Sequence, residues 1–169
     1  MSSSSVSSIL RIRLGSLATA VPSRVVWKFT IHSFNNTGTN SLILNPQVKL
    51  AGTISGTGGV QYQGPGTITL ASANTNTYSG ATLIDTSVTL QIGDGGANGT
   101  IGEGNITNNG ILVFNRSDTK TYTNLISGTG EVRQIGSGTT ILTATSTFTG
   151  ATAVSNGVLQ ISAGGSILS

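Results

Sequence analysis

Few side chains in this sequence could carry out catalysis or hold a metal ion, and those that could are widely spread. There is no cysteine among the 169 residues, which excludes thiolate chemistry and disulfides. The single histidine, His32, lies near the N-terminus, far from any repeated segment, and we interpret it as incidental. The acidic residues, no two of which are closer than nine positions, are Asp85, Asp94, Glu103, Asp118 and Glu131.

The chemistry that these acids could support is glycoside cleavage. Hydrolases of that kind use two carboxyl groups about 5–10 Å apart on one surface. The spacing places no two of the acids on one strand, so a pair could form only between neighbouring turns of a repetitive fold. We predict that the acids are solvated turn residues, that there are no catalytic residues, and that the chain is not an enzyme. A fragment of a carbohydrate-active lyase or hydrolase is the alternative.

Two glycine-rich patterns could indicate a cofactor or a metal ion. The segment 93–96, Gly-Asp-Gly-Gly, is similar to a calcium-binding turn, but calcium needs six or more oxygen ligands and this segment offers one carboxylate. The Gly-x-Gly segments at 56–58, 64–66 and 128–130 do not open a helix, as a phosphate loop would. All of them are predicted to be turns, and neither a cofactor nor a metal site is expected.

The composition favours a β protein with many turns. Charged residues make up 8% of the chain and aromatic residues 5%, and there are 24 glycines among many threonines, serines and asparagines. The net charge of +3 arises near the N-terminus, because four of the eight basic residues lie within the first 28 positions. From residue 29 onward there are four basic and five acidic residues. A nucleic-acid-binding surface is therefore not expected, and no apolar run reaches the roughly 18 residues of a membrane-spanning helix.

Residues 1–34 differ from the rest and are predicted to be an irregular leader. Ala18-Thr19-Ala20 fits the cleavage pattern of a signal peptide, but the stretch between Arg13 and Ala18 is too short and too polar for its apolar core. We therefore do not expect this leader to act as a complete signal peptide. Residues 25–31 are rich in β-branched and aromatic side chains, which predicts a strand that could cap the first coil of a solenoid.

The remainder, residues 35–169, contains an internal repeat of about 70 residues. Residues 54–60 recur as 126–132, which is 72 positions later. Residues 78–82 recur as 148–152, 70 positions later, and Gln91-Ile92 recurs as Gln160-Ile161 at a spacing of 69. The second copy is incomplete at Ser169, which predicts truncation of the repeat array at the C-terminus.

The repeat predicts an all-β parallel β-solenoid. Its apolar stretches are short, alternate with polar residues and end at Gly or Asn, so that each is too small to fold alone but can pair on both edges when stacked. Coils of such folds take about 20–25 residues, so each repeat should hold roughly three coils. A propeller blade of about 40–45 residues does not match the period. The side chains predicted to form the core are Ile54, Val60, Ile68, Leu70, Leu83, Val88, Leu90, Ile92, Ile111, Val113, Ile126, Val132, Ile141, Val154, Leu159 and Ile161.

The order of these motifs resembles a known family. Ile-Ser-Gly-Thr-Gly at 54–58, Tyr-Ser-Gly-Ala-Thr at 78–82 and Leu-Gln-Ile-Gly-Asp-Gly-Gly at 90–96 resemble the passenger-associated repeat of type V autotransporters. So does the segment 108–117. The resemblance implies a right-handed, single-stranded parallel β-helix that is exported to the cell surface as part of a longer protein. It also implies a structural, adhesin-like stalk.

Binding partners of such a stalk would be glycans or proteins of a host or bacterial surface. An outward face of Thr, Asn and Ser, together with Tyr62, Tyr78 and Tyr122, is the predicted contact surface. Open solenoid ends expose unpaired backbone groups and apolar core, which predicts self-association. Thr-x-Thr pairs also occur, as in ice-binding solenoids, but their irregular spacing makes ice binding a minor alternative.

Overall fold

The computed structural model describes residues 34–36, 42–44, 48–73, 75–162 and 166–167, and these residues contain strands and turns but no helix. The sequence-predicted strand at 25–31 and His32 lie outside them. The described residues form eighteen strands, which are arranged in five parallel sheets. The strands of the six-stranded sheet are β3 (Val48–Leu50), β6 (Gly66–Leu70), β8 (Val88–Ile92), β10 (Ile111–Phe114), β13 (Glu131–Gln134) and β16 (Thr152–Val154).

The five-stranded sheet forms a second face of the solenoid. Its strands are β2 (Leu42–Leu44), β5 (Val60–Tyr62), β7 (Thr82–Ile84), β9 (Ile106–Asn108) and β12 (Ile126–Ser127). The third face holds two shorter sheets, β1 (Phe34–Asn36) with β4 (Ile54–Gly56), and β11 (Thr119–Tyr122) with β14 (Thr139–Leu142) and β17 (Val158–Ile161). A two-stranded sheet of β15 (Thr145–Ser146) and β18 (Ser166–Ile167) continues the second face above β12, where the Thr147 N–H donates to the carbonyl oxygen of Ile126 at 2.8 Å.

Strand register shows the length of each coil directly. Along the six-stranded sheet, each coil places one residue above its partner in the previous coil, 20 to 22 positions earlier. The predicted parallel β-solenoid, with coils of 20–25 residues, is therefore confirmed. One such column runs through Leu50, Leu70, Ile92, Phe114, Gln134 and Val154.

Alternation along the strands builds the core. In β8, Val88, Leu90 and Ile92 are buried, while Thr89 and Gln91 between them are half-buried on the outer face. Each inward side chain lies above another from the previous coil, so a continuous apolar interior forms although no coil could bury its own. Aromatic side chains contribute to this interior, and the ring centroids of two of them, Phe114 and Tyr122, lie 4.8 Å apart.

Ten of the sixteen predicted core residues are buried, and the others fall into two groups. Leu83, Ile111 and Ile141 are only half-buried. On their strands the inward-facing positions lie one residue away from those predicted, so the next residue along the chain occupies the interior. The prediction for these three residues was wrong. Their buried neighbours are Ile84, Leu112 and Leu142.

The second group lies on β16 and β17, which are the outermost described strands of their sheets. Val154 is 53% exposed and Ile161 is 37% exposed, so both predictions were wrong, and Leu159 is only partly buried. No further described strand pairs with β16 or β17 on that side, so no described strand covers their inward residues.

Polar residues occupy two of the shifted core positions because each finds a hydrogen-bond partner there. The Thr82 hydroxyl lies 2.7 Å from the Tyr78 hydroxyl, and the Thr140 hydroxyl donates to Oε1 of Gln134 at 2.7 Å. Thr82 is fully buried and Thr140 nearly so. A buried polar group costs little when it is paired, so these threonines point inward and the adjacent Leu83 and Ile141 point outward.

Glycines at several corners are required by the close approach of consecutive coils. A Cβ placed on Gly104 would lie 2.1 Å from the carbonyl oxygen of Gly80, and one on Gly150 would lie 2.2 Å from that of Gly130. Neither glycine has a positive φ. The corner is tight because one backbone passes directly over another, and any side chain would force the coils apart.

The sequence repeat and the structural coil have different periods. Three coil steps from Val60 pass through Thr82 and Ile106 to Ile126, a distance of 66 residues. The sequence counterpart of Val60 lies six residues beyond, at Val132, which belongs to the six-stranded sheet. One sequence repeat is therefore longer than three coils by the six residues that lead from one face of the solenoid to the next. Equivalent segments of the two copies consequently lie on different faces.

Candidate functional site

A cleft forms where the third face of the solenoid changes its structure. From β4 this face continues upward without regular strands, through the hydrogen bonds Thr77 N–H to Ile54 O (2.9 Å) and Glu103 N–H to Tyr78 O (2.9 Å). In the next coil the chain instead forms β11, which begins the three-stranded sheet. The step leaves an open cleft of about 190 Å³. Its walls are Thr75, Asn76, Thr100, Ile101, Gly102, Glu103, Lys120, Thr121, Tyr122, Thr123 and Asn124.

Hydrogen bonds between coils fix the rear wall of the cleft. Asn76 donates from Nδ2 to the carbonyl oxygen of Thr100 at 2.6 Å, and its backbone N–H donates to the Thr100 hydroxyl at 2.7 Å. Asn124 donates from Nδ2 to the carbonyl oxygens of Gly102 (2.9 Å) and Gly104 (2.7 Å). These amide side chains are buried and join neighbouring coils, so they shape the cleft.

Two charged side chains of the cleft form no hydrogen bond or ion pair with another described residue. No hydrogen bond or ion pair joins the Glu103 carboxylate or the Lys120 ammonium to any residue in the described part of the chain. Every other charged side chain in that part is engaged. Three ion pairs account for Lys49, Asp94, Arg116, Asp118, Glu131 and Arg133, and Asp85 accepts a hydrogen bond from Gln61. These two charges, of opposite sign, therefore line one cleft, and the Lys120 ammonium also contributes, after Arg116, to lowering the pKa of Asp118.

The strand β11 also presents a free backbone edge to this cleft. Among the described strands β11 pairs only with β14, and the carbonyl oxygens of Asp118 and Tyr122 accept hydrogen bonds from that side. In a parallel strand the backbone groups of alternate residues point to opposite sides. The N–H and C=O groups of Thr119 and Thr121 consequently point away from β14, toward the side on which the cleft lies.

The other four described acids, Asp85, Asp94, Asp118 and Glu131, each bind a basic or amide side chain, and none of them lines this cleft. Asp94 accepts a hydrogen bond from Lys49 Nζ at 2.5 Å, and this bond holds the pKa of its carboxyl below the ordinary value. The turn predicted at 93–96 is present, with positive φ at Gly93 and Gly95. The Lys49 contact was not foreseeable from sequence, because the two residues are 45 positions apart.

Arg116 and Asp118 form the most buried ion pair. Arg116 Nε donates to Asp118 Oδ1 at 2.8 Å and Nη2 donates to Oδ2 at 2.7 Å, while Nη1 donates to the carbonyl oxygen of Gly99 in the previous coil. The Arg116 side chain is 7% exposed and that of Asp118 38%. The guanidinium lowers the pKa of Asp118. Glu131 makes a similar two-bonded pair with Arg133 on the surface, which lowers its pKa.

The three tyrosines do not form a contact surface. Tyr62 and Tyr78 are fully buried and Tyr122 is 4% exposed, so the prediction that they bind partners was wrong. Burial raises the pKa of all three hydroxyls. Each tyrosine occupies an inward position in the alternating pattern of its coil. Burial of its large apolar ring stabilises the fold by more than burial of the hydroxyl costs, so the ring faces inward.

The cleft has the polar and charged residues needed to bind a small ligand, but it holds no pair of catalytic carboxylates. Glu103 is the only acid among the lining residues, whereas glycoside hydrolysis needs two carboxyl groups on one surface. No group of three His, Cys, Asp or Glu residues able to hold a metal ion is found within the described residues. In the same part of the chain there is no helix that could cross a membrane.

The fold defines a parallel β-solenoid with an internal sequence repeat. Residues 61–92 and 132–161 match the model of the passenger-associated-transport-repeat, which confirms the resemblance inferred from the motifs. One curated relative is the adhesin BmaC autotransporter of Brucella suis biovar 1 (strain 1330), 48% identical over 90 residues. The alignment covers 53% of this chain and 3% of that protein, so the chain matches only a small part of its relative's length. No solved structure matches the chain significantly.

Proposed function

We propose that this chain is a non-catalytic segment of a bacterial autotransporter passenger, forming part of an adhesin-like stalk at the cell surface. The observation that carries the proposal is the unbroken register of the six-stranded sheet, in which a column of paired residues passes through six consecutive strands. A solenoid of this kind gains length by adding coils without any change in the coils beneath.

The spacing of the strands gives the stalk its dimensions. Neighbouring strands lie about 4.8 Å apart, so five coil steps extend the chain by roughly 24 Å along the solenoid axis. The outward positions of the solenoid include polar residues such as Thr89 and Gln91 of β8, and charged residues make up only 8% of the chain. The repeats at 61–92 and 132–161 and the likeness to an adhesin autotransporter support placement in an exported passenger.

A carbohydrate-active enzyme is the weaker candidate. Cleavage would require a second carboxylate beside Glu103, and the cleft has none among its lining residues. The remaining described acids are each held by a basic or amide side chain. No separate observation favours an enzymatic role.

Surface display tests the stalk proposal. An epitope tag followed by the full chain is fused, behind a cleavable signal peptide, to the translocating unit of a known autotransporter. We expect the tag to reach antibodies on intact cells, and the chain to resist external protease up to its terminal segments, because stacked coils protect each other. Retention of the tag inside the cell, or complete digestion of a displayed chain, would contradict the proposal.

A matched variant shows whether folding of the solenoid is responsible. Gly104→Val places a Cβ only 2.1 Å from the carbonyl oxygen of Gly80, which is too close for two coils to stack. Gly96→Val places a Cβ 3.7 Å from its nearest neighbour, Oδ1 of Asn98, which is an ordinary contact. We expect the Gly104 variant to lose protease resistance on the cell surface and the Gly96 variant to keep it. Equal behaviour of the two variants would show that display does not depend on the stacked coils.

A further inference from the structure

We propose that the cleft between Glu103 and Lys120 is a binding site for a neutral saccharide and accommodates one sugar ring. The proposal adds a ligand site to the stalk and does not require the chain to be displayed on a cell. It is based on two opposite charges that form no ion pair with a described residue, on the polar residues around them and on the fixed shape of the cleft.

The charges favour a hydroxyl-rich, uncharged ligand. One carboxylate and one ammonium group give the cleft no net charge, so a strongly anionic or cationic ligand would meet repulsion from one of them. A sugar hydroxyl donates one hydrogen bond and accepts others, so neighbouring hydroxyls can donate to Glu103 and accept from Lys120. Hydrogen bonds to charged groups are the stronger kind, which makes this pair the main source of affinity.

Further lining residues suit the remainder of a sugar ring. Thr75, Thr121 and Thr123 line the cleft and are exposed, so their hydroxyl groups are free to hydrogen-bond with a ligand. Ile101, at 5% exposure, contributes apolar surface to the wall. The volume of about 190 Å³ is below the roughly 300–1,000 Å³ of sites for drug-sized ligands, so it suits a single ring.

The shape of the cleft is set before any ligand arrives. The Asn76–Thr100 hydrogen bonds and those from Asn124 to Gly102 and Gly104 tie its wall to the stacked coils. Little ordering entropy is then lost on binding, apart from that of the Glu103 and Lys120 side chains. The aromatic ring of the cleft, Tyr122, is buried, so no exposed ring is available to stack on a sugar. Affinity for a single sugar is therefore expected in the millimolar range, at about 1–50 mM.

Nuclear magnetic resonance titration of the full chain tests this site. The probes are the methyl α-glycosides of glucose, galactose and mannose, with glycine as a zwitterionic comparison. We expect at least one glycoside to cause saturable shifts of the backbone amides at 101–103 and 120–123, and glycine to cause none. Glu103→Gln and Lys120→Met should each weaken that binding by roughly tenfold, because each removes a charged hydrogen-bonding group.

Two variants outside the cleft serve as controls. Asp85→Asn and Lys49→Met make the same kinds of change at residues that do not line it, and both should bind like the original chain. Unchanged amide spectra away from 101–103 and 120–123 verify that each variant is folded. The proposal is overturned if none of the three glycosides gives saturable shifts at these amides, if glycine alone binds there, or if the Glu103 and Lys120 variants bind as well as the controls. Loss of surface display with intact sugar binding would contradict the stalk role and leave this site supported.

Discussion

Val60 and Val132 hold the same place in two copies of the sequence repeat, yet they lie on different faces of the solenoid. Val60 belongs to the five-stranded sheet and pairs with Thr82, whereas Val132 belongs to the six-stranded sheet and pairs with Thr152. Equivalent segments are therefore rotated by one face from one repeat to the next. Any surface feature encoded in every repeat would be presented in successive directions around the rod.

Engineered disulfides can test this rotation, since the chain has no native cysteine. Thr107 is the register partner of Ser127, and neighbouring parallel strands lie about 4.8 Å apart, within the range that a disulfide spans. Thr107→Cys with Ser127→Cys should form a disulfide upon mild oxidation. Glu103→Cys with Ser127→Cys, a pair that would stack if each coil took 24 residues, should remain reduced. Mass spectrometry after alkylation measures both, and the reverse result would show that the repeats are in phase.

Substitution of corner glycines should depend on the coil beneath, and not on backbone angle alone. Gly104→Ala would bring its Cβ to 2.1 Å from the Gly80 carbonyl oxygen, which the stacked backbones cannot accommodate. We expect the melting temperature to fall by roughly 5–10 °C, as for overpacking of a few kcal/mol in a domain of this size. The control is Gly96→Ala, whose nearest neighbour is 3.7 Å away and which should change stability by less than about 1 kcal/mol. Thermal unfolding monitored by circular dichroism would disprove the argument if the two variants melted together.

The Arg116–Asp118 pair should contribute to stability in a pH-dependent manner. Asp118→Asn leaves the buried guanidinium of Arg116 without its counter-charge, and we expect a loss of about 1–2 kcal/mol at pH 7, kept small by the solvent exposure of Asp118. The pKa of Asp118 is lower in the folded chain than in the unfolded chain. Its contribution is therefore complete above the unfolded value of about 4 and is lost as the pH falls through the lower folded value.

The surface pair of Glu131 and Arg133 is the matched comparison. It has the same two-residue spacing and the same two hydrogen bonds, but its Arg side chain is 43% exposed. Glu131→Gln should leave the stability at pH 7 unchanged within error. Urea unfolding of both variants from pH 7 to pH 2 measures the difference. A loss for Asp118→Asn that persisted undiminished at pH 2 would show that it does not come from the carboxylate charge.

Adjacent residues on β7 test the assignment of inner and outer faces. Ile84 is fully buried and Leu83 is half-buried on the outer side. Ile84→Ala should cost about 2–5 kcal/mol because it leaves a cavity between coils, whereas Leu83→Ala should cost less than about 1 kcal/mol. The free energy of unfolding from urea titrations provides the comparison. A larger loss of unfolding free energy for Leu83→Ala than for Ile84→Ala would show that Leu83, and not Ile84, faces the interior.

We propose that the exposed apolar residues of β16 and β17 cause the isolated chain to associate with a second copy. Val154, Val158 and Ile161 are 53%, 50% and 37% exposed on the outermost described strands of two parallel sheets. A second chain stacked there would cover them and extend both sheets, so sedimentation velocity should show assembly that increases with concentration. Replacing all three residues by threonine should abolish this assembly.

The control for that experiment is a double change on the outer face, Leu83→Thr with Ile111→Thr, which removes apolar side chains without affecting β16 or β17. This variant should assemble like the original chain. A monodisperse original chain at every concentration, or equal loss of assembly in both variants, would rule out association through these strands.

Much of this fold could be predicted from single strands. Val88, Leu90 and Ile92 are apolar at every second position and separated by polar residues, a pattern that fixes their inward face without knowledge of the rest of the chain. Repetition of the motifs then favoured coils stacked in parallel, because stacking lets such short apolar runs pair on both edges and join one core. The candidate cleft was not predictable in this way, and Glu103 could be identified only as one of five scattered acids.

Sequence by itself determined that this protein is a parallel solenoid, because alternation and repetition are local properties that are legible along the chain. Tertiary structure decided what neighbouring coils impose on each other. Thr82 points inward and Leu83 outward because the Tyr78 hydroxyl lies within reach of Thr82. Gly104 lacks a side chain because the backbone of Gly80 passes beneath it. Glu103 and Lys120 share a cleft because the third face changes from irregular chain to β11 between them, a change that depends on how one coil packs upon the next.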